Sequence, residues 1–520
     1  MSPVRVVSAA QAAERDARAI GAGTPSRALM QAAGRHAAAE LMRHAGDRAR
    51  AGVDVYAGGG NNGGDAWVVA AALASAGVPV QVHEVEAPRT DDARAEKSAA
   101  LAVLQGASGL SHQGAAGTHG RPGVVVDGLL GTGARGAPRG DIAKACADID
   151  AARAGGAFVL ALDVPSGLDA STGAHEGAPR ADLTVTFGTI KRGHLTARDW
   201  CGAIVVVDIG LGAHADLDDG ASLLADAAYV RSVVPRISAD AHKGARKKVA
   251  IVGGARGMAG AVILAGRAAL HSGVGLVKLV VSPDNVDLVQ RTVPEALAAA
   301  WPTNDDEAAA IGVWADALLV GPGLGRGPHV QQLVERCVRN VECPVVIDAD
   351  ALNAYEGEPA PFAALIGTRR ALITPHPLEF ARLAGESAAS VNARRFDIAG
   401  ELARATGATV LLKGVPTVIT APDGHAVVSA SGTPVLGQGG SGDVLAGMSV
   451  TLLAQRGDPL HAGAAAAWVH GRAAELAAPD GAIRGVTLDD VLASLRDAWK
   501  CEESPRPPYV LAELAAVGER

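Results

Sequence analysis

Aromatic residues make up only 3% of this 520-residue chain, so stacking platforms for nucleic-acid bases are scarce. Cysteine is equally thin. The five present (Cys146, Cys201, Cys337, Cys343, Cys501) form no C-x-x-C pair and lie far apart. That argues against a zinc site or a disulfide framework and fits a reducing compartment. No uncharged apolar run reaches the roughly 18–20 residues needed to cross a bilayer. The N-terminus, "MSPVRVVSAAQAAERD", meets acids before any long apolar stretch, unlike a secretory signal. Positive charge is not in excess either: the formal net charge is −8, which argues against a general phosphate-backbone binder. Together these absences lead us to expect a cytoplasmic protein with small-molecule substrates, no nucleic-acid partner and no membrane partner. A homo-oligomer is expected.

What the chain has in quantity is small residues: 65 glycines, and a 48% hydrophobic share that rests on alanine and valine. Its length is too great for one core, and two or three domains are expected. The first half alternates β-branched runs with alanine-rich helical stretches. The expected strands are "VDVYAG", "PVQVHEV", "GVVVDGLLG", "AFVLALDVP", "DLTVTFG" and "AIVVVDIGL". Near-continuous apolar runs suit strands buried on both faces of a parallel sheet. Ser8 with Gln11 can form a capping box, and Thr24-Pro25 suits a second helix start. Residues 211–240 carry no strong strand and several turn formers, which places the domain boundary there. Alternation restarts at "KKVAIVGG" and runs through "GLVKLVVSP", "ALLVGPGLG", "PVVIDADAL", "ALITPHP" and "ATVLLKGVPTVIT" to helices near the end. Two α/β domains in series is the simplest account.

The glycines gather in loops. Three stretches fit G-x-G-x-x-G: Gly58, Gly60 and Gly63; Gly131, Gly133 and Gly136; Gly437, Gly439 and Gly442. In so glycine-rich a chain the pattern is cheap, and only the flanking strand and helix give it meaning. In an open α/β sheet ligands sit beyond the carboxyl ends of the strands, and the first-half loops "GGGNNGGD", "DGLLGTGARG" and "DVPSG" all follow strands. Each brings backbone N–H groups and one acid: Asp65, Asp127 or Asp163. Asn62, Asp127 and Ser166 form a hard oxygen set suited to an alkali or alkaline-earth cation. The plainer reading is an ordinary dinucleotide site with Glu84 or Glu86 on the ribose, and any single Asp here can be a helix N-cap. In the second half "TPHPLEF" ends a strand, Lys413 sits where a strand turns, and "GQGGSGD" opens a helix. A helix N-terminus is an anion site. Asp443 just inside it is placed to take a proton from a hydroxyl attacking a phosphate, the alternative being a simple helix-start acid. His329 and the basic run at 245–249 read as surface features.

This ordered set resembles the bifunctional NAD(P)H-hydrate repair family, in which an NAD(P)HX epimerase is fused to an ADP-dependent NAD(P)HX dehydratase. "LMQAAG", "GGGNNGGD", "VVDGLLGTGARG", "LDVPSGLDASTG" and "TFGTIKRGHL" carry the epimerase part, of the YjeF N-terminal type. "HKGARKKVAIVGGARGMAGA", "GPGLG", "DADALN", "TPHPLEF", "LLKG" and "GQGGSGDVLAG" carry the dehydratase part. The resemblance implies an N-terminal Rossmann-like three-layer α/β/α sandwich over residues 1–212, a linker over 213–224, a ribokinase-like α/β domain over 225–505 and a C-terminal tail over 506–520. It implies that the hydrate is held in the epimerase by Asn61, Asn62, Gly63, Gly64 and Asp65, by Gly131, Thr132, Gly133, Ala134, Arg135, Gly136 and Ala137, and by Asp163. It implies a potassium ion on Asn62, Asp127 and Ser166, and proton handling by Asp163 and Lys191, their individual roles open. In the dehydratase it implies hydrate contacts from Ala261, Gly323, His376 and Asp443, and adenine-nucleotide contacts from Lys413, Gly414, Val415, Pro416, Thr417 and Gly442. ADP would be the phosphoryl donor, with magnesium bridging phosphates. Two positions depart from the family pattern: Ala66 stands where a glycine is usual and Ala32 where an asparagine is usual. Competing readings are a ribokinase-like vitamin kinase and, for the first half, a non-catalytic binding module.

Overall fold

The structure, a computed structural model, describes residues 3–106, 122–217, 219–479 and 481–517. It divides into two compact units, Met1–Ala221 with Pro505–Val517, and Ser222–Ser504. Among the described residues no helix is long and apolar enough to cross a membrane.

The first unit is a sheet with strand order Val510–Leu514, Ala203–Val207, Leu183–Phe187, Phe158–Leu162, Val124–Gly128, Val53–Ala57, Val80–Glu84. All neighbours run parallel except the first pair, which is antiparallel. Alternation along a strand sends Val124 and Val126 into one core and Val125 into another. The first core is closed by the helices Ser26–Ala49 and Asn61–Ser75, the second by Gly140–Ala154. With both faces covered, every position of such a strand must be apolar, which is why the run "VVV" shows no alternation in sequence. This is the expected three-layer sandwich.

The expected Ser8–Gln11 capping box is present, each side chain accepting from the other residue's backbone N–H at 3.3 and 2.9 Å. Two expectations change. Residues 506–520, read as a tail, include the strand Val510–Leu514, which adds to Ala203–Val207 and buries Val510. Residues 213–224, read as a linker, are shaped: the buried Arg15 guanidinium grips Asp219 at 2.6 and 3.0 Å, and Ser222–Leu224 is a strand. Neither stretch carries enough apolar periodicity to announce itself.

The second unit's sheet runs Leu297–Ala300, Leu276–Val281, Lys248–Val252, Ala317–Val320, Val345–Ile347, Ala371–Ile373, Thr409–Leu412, Thr417–Thr420, Ala426–Ser429, Ser222–Leu224. It is parallel up to Thr409–Leu412, after which two antiparallel steps bring in Thr417–Thr420 and Ala426–Ser429. The helices Ala259–His271, Ser441–Arg456, Pro459–Ala477 and Leu488–Ala498 share one large core with it, built mostly from alanine, valine and leucine. Small side chains let these helices approach closely: a Cβ on Gly447 of one would stand 2.1 Å from the Ala265 carbonyl oxygen of another. The layers are those expected of a ribokinase-like domain.

Candidate active sites

In the first unit the chain leaves Val53–Ala57 to build Val80–Glu84 on one side, then crosses to Val124–Gly128 on the other. That reversal opens a crevice at the carboxyl ends of the two central strands. A cleft of about 570 Å³ lies there, lined by Gly60, Asn61, Asn62 and Asp65, by Leu130 to Ala134, and by Asp163 and Lys191. The expected residues thus converge, with exceptions. Gly63 and Gly64 face inward: a Cβ on Gly63 would stand 1.8 Å from the Gly58 carbonyl oxygen, and one on Gly64 would stand 2.6 Å from the Met30 sulfur. They permit the helix Asn61–Ser75 to start against the loop. Arg135, Gly136 and Ala137 do not line the cleft. Nor does Ala32, which packs against the core, while Ala66 meets the position a Gly128 Cβ would occupy. Both departures fall on packing surfaces. The plain dinucleotide reading loses its ribose acids: Glu84 is held by Lys97 at 2.5 Å and Glu86 faces Arg89 at 3.2 Å.

The cleft's charges are sharply sorted. Lys191 Nζ donates to Asp163 Oδ1 at 2.5 Å and to Thr186 Oγ1 at 2.8 Å, both side chains being buried. Burial alone would raise Asp163, but the ammonium and Thr186 outweigh it, and the carboxyl sits below its ordinary range. Asp163 also has a positive φ of 62°, a strained conformation of the kind held at functional sites. His194 braces it: Nδ1 accepts from the Lys191 backbone N–H at 3.2 Å, leaving Nε2–H to donate to the Asp163 carbonyl at 2.8 Å. Burial pushes this imidazole down to about 3, so it stays neutral. Asp65 behaves oppositely: burial, then Asp163 and Asp16, drive it well above the carboxylate range. Asp16, on the helix Ala9–Gly21, also borders the cleft and is raised to about 6 by burial, against the pull of Lys191. One acid held toward its ionised form and two that burial shifts toward their protonated forms therefore face one space. Thr186 and His194 lie within "TFGTIKRGHL" without being singled out there, Asp16 carried no local motif, and only the fold collects them.

Beside the cleft, Ser166 Oγ donates to Asp127 Oδ1 at 2.5 Å and Ser166 N–H to Oδ2 at 2.8 Å. Burial still wins, and Asp127 is raised. Asn62 Nδ2 donates to the Leu130 carbonyl at 2.8 Å, while Asn62 Oδ1 is buried with no partner. An orphaned carbonyl oxygen beside a buried carboxylate is a costly arrangement that a cation would repair.

In the second unit the switch point lies at Lys248–Val252, between Leu276–Val281 and Ala317–Val320. Ala261 and Gly323 meet there: a Gly323 Cβ would lie 3.1 Å from that of Ala261. Farther along the sheet edge, the helix Ser441–Arg456 begins at Gly440, which has φ 94° and supplies no side-chain cap. The Ser441 N–H turns back to the Gln438 carbonyl at 3.3 Å, and the N–H groups that follow it face the anion position of a helix start. Lys413 Nζ lies 3.3 Å from where a Gly442 Cβ would be, bonds Asp348 at 2.9 Å and lies 3.5 Å from Glu379. Asp443 is pushed up to about 7, chiefly by burial and then by Asp348, despite Lys413. His376 caps the helix Pro377–Ala384 through Nδ1, which accepts from the N–H groups of Leu378 and Glu379 at 3.1 and 3.3 Å. The loop Lys413 to Thr417 is held from behind by Arg395, which donates to the carbonyls of Lys413 and Pro416 at 3.0 and 3.1 Å and leaves Val415 exposed. Arg395, Asp348 and Glu379 are supporting residues that the sequence alone did not single out.

The chain matches the family described as YjeF-related protein N-terminus over residues 26–193 and that described as NAD(P)H-hydrate dehydratase over residues 249–496. A bifunctional NAD(P)H-hydrate repair enzyme of Salinibacter ruber is 38% identical over 91% of this chain and 92% of its own. That of Moorella thermoacetica is 35% identical over 94% and 93%. A crystal structure of the ADP/ATP-dependent NAD(P)H-hydrate dehydratase of Bacillus subtilis, co-crystallised with ATP and Mg2+, is 30% identical, covers 53% of this chain and 96% of its own, and superposes with a TM-score of 0.46.

Proposed function

This chain belongs to the bifunctional NAD(P)H-hydrate repair enzymes, and on that footing we propose that its first unit interconverts the R and S forms of NAD(P)HX while its second restores NAD(P)H from the S form. The observation that carries the reading is that each unit has a helix N-terminus unblocked by any side-chain cap beside a titratable acid.

In the first unit, epimerisation at C6 needs one group to take a proton and another to give one. Asp163, kept ionised by Lys191, is the acceptor, and Asp65, whose protonated form burial and the neighbouring acids favour, is the group placed to give one. The unpartnered Asn62 Oδ1, with Asp127 and Ser166, fits potassium, whose charge would offset this acidic wall. In the second unit, Asp443 takes the proton of the C6 hydroxyl as its oxygen attacks the β-phosphate of ADP. AMP departs, and phosphate is then eliminated to restore the reduced ring. Lys413 and the N–H group of Gly442 meet the phosphates. Among the described residues no three His, Cys, Asp or Glu side chains gather to hold a metal, so magnesium would be held mainly through the nucleotide. All five cysteines are free, in keeping with the cytoplasmic setting we propose.

Incubating the protein with mixed R and S hydrate and ADP, and following reduced nicotinamide, AMP and free phosphate, tests both halves. The wild type is expected to consume the mixture without a plateau. Asp163→Ala should convert the S form normally and then slow to the uncatalysed epimerisation rate, and withdrawing potassium should impair the same late phase. Phosphate retained on an organic product would replace this reading with a kinase.

A further inference from the structure

The geometry points to Glu379 as the positioning residue through which the adenine-nucleotide and hydrate subsites of the second unit act on one another; this rests on the placement of Lys413 and His376 proposed above. Glu379 Oε2 accepts from the His376 backbone N–H at 2.8 Å and lies 3.5 Å from Lys413 Nζ, while Oε1 lies 3.4 Å from His376 Nε2. The Lys413 backbone N–H in turn donates to the Pro375 carbonyl at 2.9 Å, one residue before His376. One carboxylate, 6% exposed, is thus shared between the imidazole and the ammonium.

Capping does not explain this sharing. A glutamine at this position would complete the same reciprocal cap, whereas a buried carboxylate carries a desolvation cost that a neutral amide avoids. What the charge adds is a tie between two cationic or proton-bearing groups. Nδ1 of His376 is committed as an acceptor, so the ring carries its proton on Nε2, the edge toward Glu379. Burial and the neighbouring Lys413 charge both disfavour a protonated imidazole.

When nucleotide phosphates reach Lys413, they compete for its ammonium with Asp348, which holds it at 2.9 Å, and with the more distant Glu379 at 3.5 Å. The carboxylate is then left to act on His376 alone, and the repulsion from Lys413 is offset by the phosphates. With the Nε2 edge held by one partner, the ring is fixed in a single orientation, and the hydrate meets a pre-set imidazole and binds more tightly. Loading of ADP therefore prepares the hydrate subsite, and by reciprocity the hydrate tightens ADP.

The test measures hydrate affinity with and without saturating α,β-methylene ADP, which cannot transfer its β-phosphoryl group. In the wild type the analogue should tighten binding of the S hydrate by at least about fivefold, the lower end of typical coupling between sites. In Glu379→Gln each ligand should still bind alone, but the ratio should fall to near one. A residue serving only to cap the helix would lower Tm and leave the ratio unchanged, and that result would overturn the inference. So would a ratio of one in the wild type, a measurement that needs no variant. Should Glu379→Gln fail to fold, His376→Asn keeps a side-chain oxygen at the N-cap and removes the Nε2 edge; it too must reduce the ratio, and an unchanged ratio rejects the tie. Turnover of S hydrate with ADP by the wild type separates the two levels: without turnover the parent reading fails, whereas turnover with a ratio of one removes this inference alone.

Discussion

At Asp443 burial and charge pull in opposite directions. A helix N-terminus and Lys413 favour its ionised form, yet burial together with Asp348, Asp350 and Glu379 prevails and brings it to about 7. A base at that value is half ionised at neutrality, and dehydration should rise with pH through about 7 and level off above it. Asp443→Asn retains the shape but accepts no proton, and turnover should fall by on the order of 100–10,000-fold while both ligands still bind. The same shift has a stability consequence of defined sign. A carboxyl whose folded value is raised contributes stability below its unfolded value, and that contribution is lost as pH rises through about 7. Asp443→Asn should therefore melt progressively higher than wild type as pH is raised from 5 to 8. A gap that narrows over that range would count against the assignment.

At the scale of the elements, glycines that look alike in sequence do different work. A Cβ on Gly58 would sit 1.9 Å from the Leu129 carbonyl oxygen, so Gly58→Ala must push two loops of the first cleft apart. Overpacking of this kind costs roughly 1–3 kcal/mol even where side chains can yield, and here the obstacle is backbone. We expect a lower Tm together with loss of the late, epimerase-dependent phase. Gly437 has nothing within 4 Å of a Cβ, so Gly437→Ala should leave Tm unchanged. Any effect should appear in the KM for ADP. Thermal melts and initial rates on the two variants check the contrast; equal Tm losses would refute it.

For the whole molecule, the C-terminal strand is the decisive feature. Val510–Leu514 pairs antiparallel with Ala203–Val207 in the first unit's sheet, although almost all of the second unit intervenes in the chain. A fragment of residues 222–504 should retain dehydration of the S form, because it keeps the run of strands from Leu297–Ala300 to Ser222–Leu224 together with the helices that share their core. A fragment of residues 1–221 should leave Ala203–Val207 as an unpaired edge and expose apolar surface that Val510 covers. Such edges promote association, and this fragment should melt lower and aggregate more readily than the intact first unit. Addition of a peptide spanning residues 505–517 should reverse both. No change on adding the peptide would show that the strand contributes little.

The alternation of strands and helices, the two α/β units and the loops that end in Asp65, Asp163 and Asp443 were legible in the sequence. Apolar periodicity and glycine placement are local properties, and they survive without knowledge of contacts. The linker and tail were misjudged because a short edge strand has too few residues to show a period, and Arg15 meets Asp219 only once the chain has folded back. Asp16, His194, Glu379 and Arg395 lie outside the glycine loops, and their partners are distant in sequence or indistinguishable from ordinary helix caps. Above all, composition names acids but not their protonation. That Asp163 is shifted toward its ionised form while Asp65 is shifted toward its protonated form depends on which of them lies 2.5 Å from Lys191, and in a buried cleft a single neighbouring charge reverses what burial alone would do.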